Sequence, residues 1–285
     1  MAKILCVGIA TVDIVNEVAS YPSEDDEIRI LSQHKRRGGN AANTSVVLSQ
    51  LGHQCYWAGT LVNETDCRII LDDFKHYQIN YEFCQLLAQG KVPTSYISLS
   101  QKTGSRTISH FRDLPEYSFD EFKKINLGLF DWLHFEGRNI EQTLKMMIHA
   151  KQYYPKLTIS VEFEKVRENI EQLIEPADII IFSKHYALTQ GFNTAKEFCQ
   201  HIGRKYADKI IFCAWGSSGA AALVRKKYYW QDALLVDAVD TLAAGDVFNA
   251  GIIDQQIKQQ TIQQSLITAC KLAAQKCMHK GIVVN

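Results

Sequence analysis

The chain has 285 residues, 46% hydrophobic and 22% charged, enough to bury a large core in one sizeable domain. Its 31 lysines and arginines balance 31 aspartates and glutamates, so no net field attracts nucleic acid or an anionic membrane, and any phosphate site must be local. The opening apolar run, Met1 to Gly8, is too short for a signal peptide and no later run reaches membrane-spanning length, which reads as a cytoplasmic protein.

In chain order, short apolar runs alternate with amphipathic stretches. Residues 4–7, 56–61, 132–135, 158–163, 178–182 and 210–214 read as strands, and 41–51, 140–154 and 194–206 as helices. Strand–helix repetition of this kind predicts an α/β fold, a mostly parallel sheet covered on both faces. At the C-terminal end, 244–257 and 262–279 predict two successive helices that close the fold. Two places break the pattern: residues 27–33, and the pair 94–101 and 105–111 joined around Thr103-Gly104, read as strands with no helix beside them. They are assigned to a small β-sheet lid inserted in the single domain as segments of about 13–36 and 94–112, with one face to hide against a substrate or a second copy. The eight cysteines form no C-x-x-C pair and the nine histidines no H-E-x-x-H, so they read as small buried hydrophobes in a reducing compartment and as core or surface histidines.

The segment Asp240-Thr241-Leu242-Ala243-Ala244-Gly245-Asp246 runs directly into an apolar helical stretch. This places the N–H groups of Ala244, Gly245 and Asp246 at a helix N-terminus, where an anion is stabilised. Asp246, in the first turn, is expected to stay ionised and able to take a proton from a hydroxyl. The same residues also fit a plain helix start with close-packed small side chains. No G-x-x-x-x-G-K-[ST] and no G-x-G-x-x-G after the first strand is present, which removes support for a P-loop enzyme and for a standard dinucleotide-dependent dehydrogenase. Gly216-Ser217-Ser218-Gly219 is either a nucleotide loop or an ordinary turn. Gly38-Gly39-Asn40-Ala41-Ala42-Asn43 opens a helix with two amides three residues apart, suited to a polyol, or with Asn40 as a simple N-cap. Asp13 and Asp25 are candidate acceptors for sugar hydroxyls, or solvated turn residues.

Together these elements resemble the ribokinase-like (PfkB-type) carbohydrate kinases, and within them the branch acting on ketohexoses. The resemblance spans essentially the whole chain through Tyr21-Pro22, Glu27-Ile28-Arg29, Arg37 to Ala41, Ser105-Arg106-Thr107-Ile108, Glu136-Gly137-Arg138-Asn139, Ser160 to Lys165, Cys213-Ala214-Trp215 and Asp240-Thr241-Leu242. It implies a three-layer α/β/α domain with a β lid and transfer of the γ-phosphate of Mg-ATP to the 1-hydroxyl of a ketohexose, fructose first. Kinases for ribose, a nucleoside or another sugar, and a weakly catalytic sugar-binding protein, are the alternatives. Carried over residue by residue, it implies Asp246 as base, Ala244 and Gly245 stabilising the phosphoryl group, and Arg106 reaching toward the phosphates from the lid. It further implies Asp13, Asp25, Gly39, Asn40 and Asn43 around the sugar, Trp215, Gly216, Gly219, Cys270 and Ala274 around the nucleotide, and Glu162 and Glu164 serving Mg2+ through water. Response to K+ and a homodimer paired through the lid are also implied. The chain departs from the family pattern at Ala243, where D-T-x-G-A-G-D has glycine, and at Ser183-Lys184-His185-Tyr186, where many members have N-x-x-E. If the backbone at 243 needs a positive φ, alanine costs about 1 kcal/mol there.

Overall fold

Apolar side chains that alternate along short parallel strands must be covered on both sides, and that requirement organises this chain. The computed structural model describes residues 1–103 and 105–282. The elements are β1 (Lys3–Val7), β2 (Thr11–Val18), β3 (Ser32–Gly38), α1 (Asn40–Gln50), β4 (Gln54–Ala58), β5 (Thr60–Val62), α2 (Cys67–His76), β6 (Gln85–Leu87), β7 (Thr94–Ser100), β8 (Arg106–Phe111), α3 (Phe119–Phe122), β9 (Trp132–Glu136), α4 (Ile140–Tyr153), β10 (Thr158–Phe163), β11 (Ile179–Ser183), α5 (Lys184–Thr189), α6 (Ala195–Lys205), β12 (Ile210–Ala214), β13 (Gly219–Val224), β14 (Lys227–Asp232), α7 (Ala244–Ile257) and α8 (Ile262–Cys277).

The central sheet has eight strands in the order β14-β13-β12-β11-β10-β9-β1-β4. Its strands run parallel from β4 to β12, and β13 and β14 add antiparallel. Alternation divides the core in two. Ile4, Cys6, Ile181 and Phe212 join Val46, Phe248 and Leu266 in one cluster, while Leu5, Val7, Phe182 and Cys213 join Met146, Met147 and Phe198 in the other. Helices α1, α7 and α8 thus cover one face and α4 and α6 the other, giving three layers. Because the strands are parallel, their C-terminal ends all open on one edge, where ligands of such sheets bind. Among the described residues no helix is long and apolar enough to cross a membrane.

The lid is a separate four-stranded sheet in the order β3-β2-β7-β8, with β2 and β7 parallel and both flanking pairs antiparallel. Residues 27–31 are not part of it, contrary to expectation: the ladder begins at Ser32, opposite Glu17, and, near the end of the partner strand at Val18, Leu31 adds one N–H bond to the Glu17 carbonyl at 2.8 Å. The strand expected over 56–61 is broken at Gly59, where the chain leaves the central sheet and β5 pairs instead with β6. The expected helix end at 279 falls at Cys277. The hairpin β13–β14 was not legible, because its two-residue turn has Arg225 and Lys226 at φ 47 and 69 in place of the Asn-Gly that usually marks such a turn. Gly104, at the expected lid turn, and Val283 to Asn285 lie outside the described residues.

Candidate active site

The segment 240–246 lies at the open edge, between the central sheet and the lid, and starts α7. Ala243 is its N-cap in the left-handed conformation, φ 65 and ψ 9, and no side chain caps the helix. The positive φ anticipated for this position is therefore present on an alanine. The Ala244 N–H makes a long bond to the Thr241 carbonyl at 3.4 Å, and at Gly245 an added Cβ would meet nothing within 4 Å, so a helix N-terminus with room for an anion stands here.

Asp246 follows in the first turn and is only 5% exposed. Its Oδ2 accepts from Asn43 Nδ2 at 2.6 Å. Asn43 is in turn oriented by Arg37, which donates to its Oδ1 and is anchored by Asp73. Asn40, one turn earlier on α1, donates through Nδ2 to Glu162 Oε2 and Glu164 Oε2, each at 3.1 Å. The two amides thus meet the site three residues apart, as their spacing implied, and the N-cap position belongs to Gly39. Gly39 has φ 97, and a side chain there would strike the Ile9 carbonyl. At Gly38 a side chain would strike the Asp13 carboxylate, which Thr11 Oγ1 holds at 2.8 Å.

Electrostatically the site is an excess of buried carboxylates. Burial raises the Asp246 carboxyl well above its ordinary range, Glu162 raises it further, and the Asn43 amide opposes the shift. Local position alone suggested an ionised Asp246; desolvation and a neighbouring carboxylate instead strengthen its hold on a proton. Burial, with Glu164 and Glu136, likewise pushes Glu162 up to about 8. Glu162 is buried at the end of β10, while Glu164 lies just beyond the strand and is partly exposed. Among the described residues no group of three or more His, Cys, Asp or Glu side chains is arranged to hold a metal. The donor set of these two carboxylates suits Mg2+ only in its usual manner, with one or two protein carboxylates and the remaining positions filled by water and phosphate.

Strand register places Asp13, Arg36 and Arg106 on the lid face that also carries Val15 and Ile97, because Asp13 pairs with Arg36, Val15 with Ile97, and Leu99 with Arg106. That face packs on the cradle loop through Leu242. Arg106 donates from Nη1 to Thr241 Oγ1 at 2.9 Å, and Arg36 from Nη1 to Asp240 Oδ2 at 2.9 Å. Asp25, by contrast, stands in the exposed loop between β2 and β3 at φ 68, and among the described residues no hydrogen bond joins it to these groups. On the other side of the cradle, Gly216 and Gly219 hold a tight turn at φ 65 and 132, and Trp215 lies under the Lys184 ammonium, 5.7 Å from its ring centre. Cys270 and Ala274 are buried on α8, which packs along β13 and β14. Arg36 and Lys276 carried no sequence signal, since charged residues in a strand or a last helical turn normally read as solvent-facing, whereas Arg37 belongs to a recognised word but its bonds to Asn43 and Asp73 come from the fold. Glu136 belongs to a recognised word, but its burial beside Glu162 and its hydrogen bond from the Ile9 N–H at 3.0 Å come from the fold.

The family model for pfkB family carbohydrate kinases matches residues 1–284. Mouse ketohexokinase is 37% identical over 289 residues, covering 98% of this chain and 97% of that protein. Among solved structures, a putative ribokinase from Agrobacterium tumefaciens superposes with a TM-score of 0.86 at 21% identity, covering 98% of this chain and 92% of that one. Arabidopsis thaliana ribokinase complexed with ribose and ATP does so with 0.81 at 17%, covering 98% and 94%. The family model over nearly the whole length, together with the likeness to ketohexokinase, means that this chain belongs to the PfkB family of carbohydrate kinases and is a sugar-kinase phosphotransferase.

Proposed function

We propose that the protein transfers the γ-phosphoryl group of ATP to the 1-hydroxyl of a ketohexose, with fructose as first candidate, and that it works as one domain with an inserted lid. The observation that carries this reading is Asp246: a buried carboxyl in the first turn of a helix with no side-chain cap, facing open space at Gly245. The sugar hydroxyl gives its proton to Asp246 while its oxygen bonds to the γ-phosphorus; the bond from that phosphorus to the bridging oxygen breaks, and ADP leaves with the bridging oxygen. A carboxylate with a raised pKa is a better acceptor for that proton than an ordinary one. The N–H groups of Ala244, Gly245 and Asp246 hold the transferring group, and Ala243 sets their direction. Arg106 reaches it from the lid by leaving Thr241.

Asp13, Gly39, Asn40 and Asn43 hold the sugar, and Trp215, Gly216, Gly219, Cys270 and Ala274 flank the nucleotide. Glu162 and Glu164 hold Mg2+ through water, which neutralises phosphate charge when bound. Tyr96 and Phe111, on the lid face opposite Ile97, and Ile28, Ile30 and Leu31, in the loop before β3, are exposed, and we assign the lid to pairing of two copies.

Mg-ATP with a panel of fructose, ribose and a nucleoside should give ADP release stimulated most by fructose, with Asp246→Asn about 10²–10⁴-fold slower; a wild-type protein that no sugar stimulates overturns the reading. Light scattering at micromolar concentration should return the mass of two chains, and a single-chain mass removes the lid-pairing assignment. Ala243→Gly relieves the left-handed alanine and should raise stability by about 1 kcal/mol, seen as a higher urea midpoint, with turnover kept or increased; a large loss of turnover contradicts this account of the turn. The pH dependence follows from the raised carboxyl of Glu162. A raised folded-state pKa contributes stability that is full below the ordinary glutamate range and is lost as pH rises toward about 8. Glu162→Gln should therefore gain melting temperature over wild type at about pH 8.5 but little at about pH 5, and an equal difference at both pH values refutes it.

A further inference from the structure

Lys276 lies in the last turn of α8 with no solvent exposure at all. Its ammonium donates to the Asp240 main-chain carbonyl at 2.6 Å and lies 3.0 Å from Asp240 Oδ2. The same carboxylate accepts from Arg36 Nη1 at 2.9 Å and the Gly281 N–H at 3.2 Å, and through Oδ1 from the Leu242 N–H at 2.9 Å. Three residues further on, the chain enters the left-handed turn at Ala243.

Stability alone gives little reason for this arrangement, since a buried ion pair is seldom better than well-packed apolar side chains of the same volume. What it does supply is geometry. A cation gripping both the carbonyl and the carboxylate of one residue leaves that residue's backbone a single orientation, and the Leu242 hydrogen bond passes it to the next turn. Burial lowers the tendency of Lys276 to be charged, and Asp240 opposes that shift. Burial would raise Asp240 in turn, but Arg36, Leu242 and Lys276 hold its carboxyl at about 2.

We infer that Lys276 is a positioning residue for phosphoryl transfer: through its two contacts with Asp240 it fixes the strained turn at Ala243 and so aims the N–H cradle of α7. The lid enters the same joint through Arg36, so that the cradle and the lid face above it are registered on one carboxylate. This inference rests on the kinase reading above, and its experiment separates the two.

Lys276→Met should lower kcat by roughly tenfold to a hundredfold, the cost of a small misplacement of catalytic groups, while the sugar KM stays within about twofold. Backbone amide exchange over 241–246, read by mass spectrometry without substrate, should quicken by at least about tenfold relative to wild type while β9 and β10 stay protected. If Lys276→Met does not fold, Asp240→Asn/Lys276→Met, which removes both partners of the buried pair and leaves only the partly exposed Arg36 without its carboxylate, replaces it and should show the same two changes. A variant that keeps wild-type kcat, or whose 241–246 exchange is unchanged, overturns the inference. A wild type inert toward every sugar ends the kinase reading instead, and the exchange measurement still decides the role of Lys276.

Discussion

A carboxyl group kept out of water beside a second carboxyl is the constraint around which this molecule is arranged. Asp246 and Glu162 are both buried; burial and Glu162 raise the Asp246 carboxyl, and burial with Glu164 and Glu136 raises Glu162. Such a pair is tolerable only if amides bring dipoles to it. Asn43 and Asn40 do so from successive turns of α1, which is why the Gly38-Gly39 corner must bring that helix so close to β1 and β2.

The second constraint is backbone strain. An alanine in the left-handed region is disfavoured, so the turn at Ala243 persists because surrounding contacts over-determine it. Asp240 is gripped from α8, from the lid and from its own loop, Leu242 is wedged under Val15 and Ile97, and Arg106 reaches Thr241. Lid and cradle are thus one mechanical unit, which relates the position of the lid directly to the direction of the N–H groups.

Much of this was legible beforehand, for identifiable reasons. The parallel strands β11 and β12 carry continuous apolar runs, Ile179 to Phe182 and Ile210 to Ala214, because both their faces are covered, and such runs stand out in a sequence. Asp246 and Gly245 could be named because small residues before an apolar helix are a local pattern, whereas Arg106 was named through the family resemblance. Residues 27–31 misled because their alternation is real but the partner strand stops short. The β13–β14 hairpin was hidden because its turn uses residues that rarely adopt positive φ.

The sequence by itself determined the fold class, the place of the cradle, the amide pair on α1 and the backbone cost at Ala243, since each depends on neighbours within a few positions. Only the tertiary structure decided the direction in which the Asp246 carboxyl is shifted, because desolvation by distant segments and the approach of Glu162 strengthen its hold on a proton. The joint at Asp240 likewise belongs to the folded chain alone. It gathers Arg36, Leu242, Lys276 and Gly281 from separate stretches, and no local pattern distinguishes a lysine that will be buried from one that will meet water.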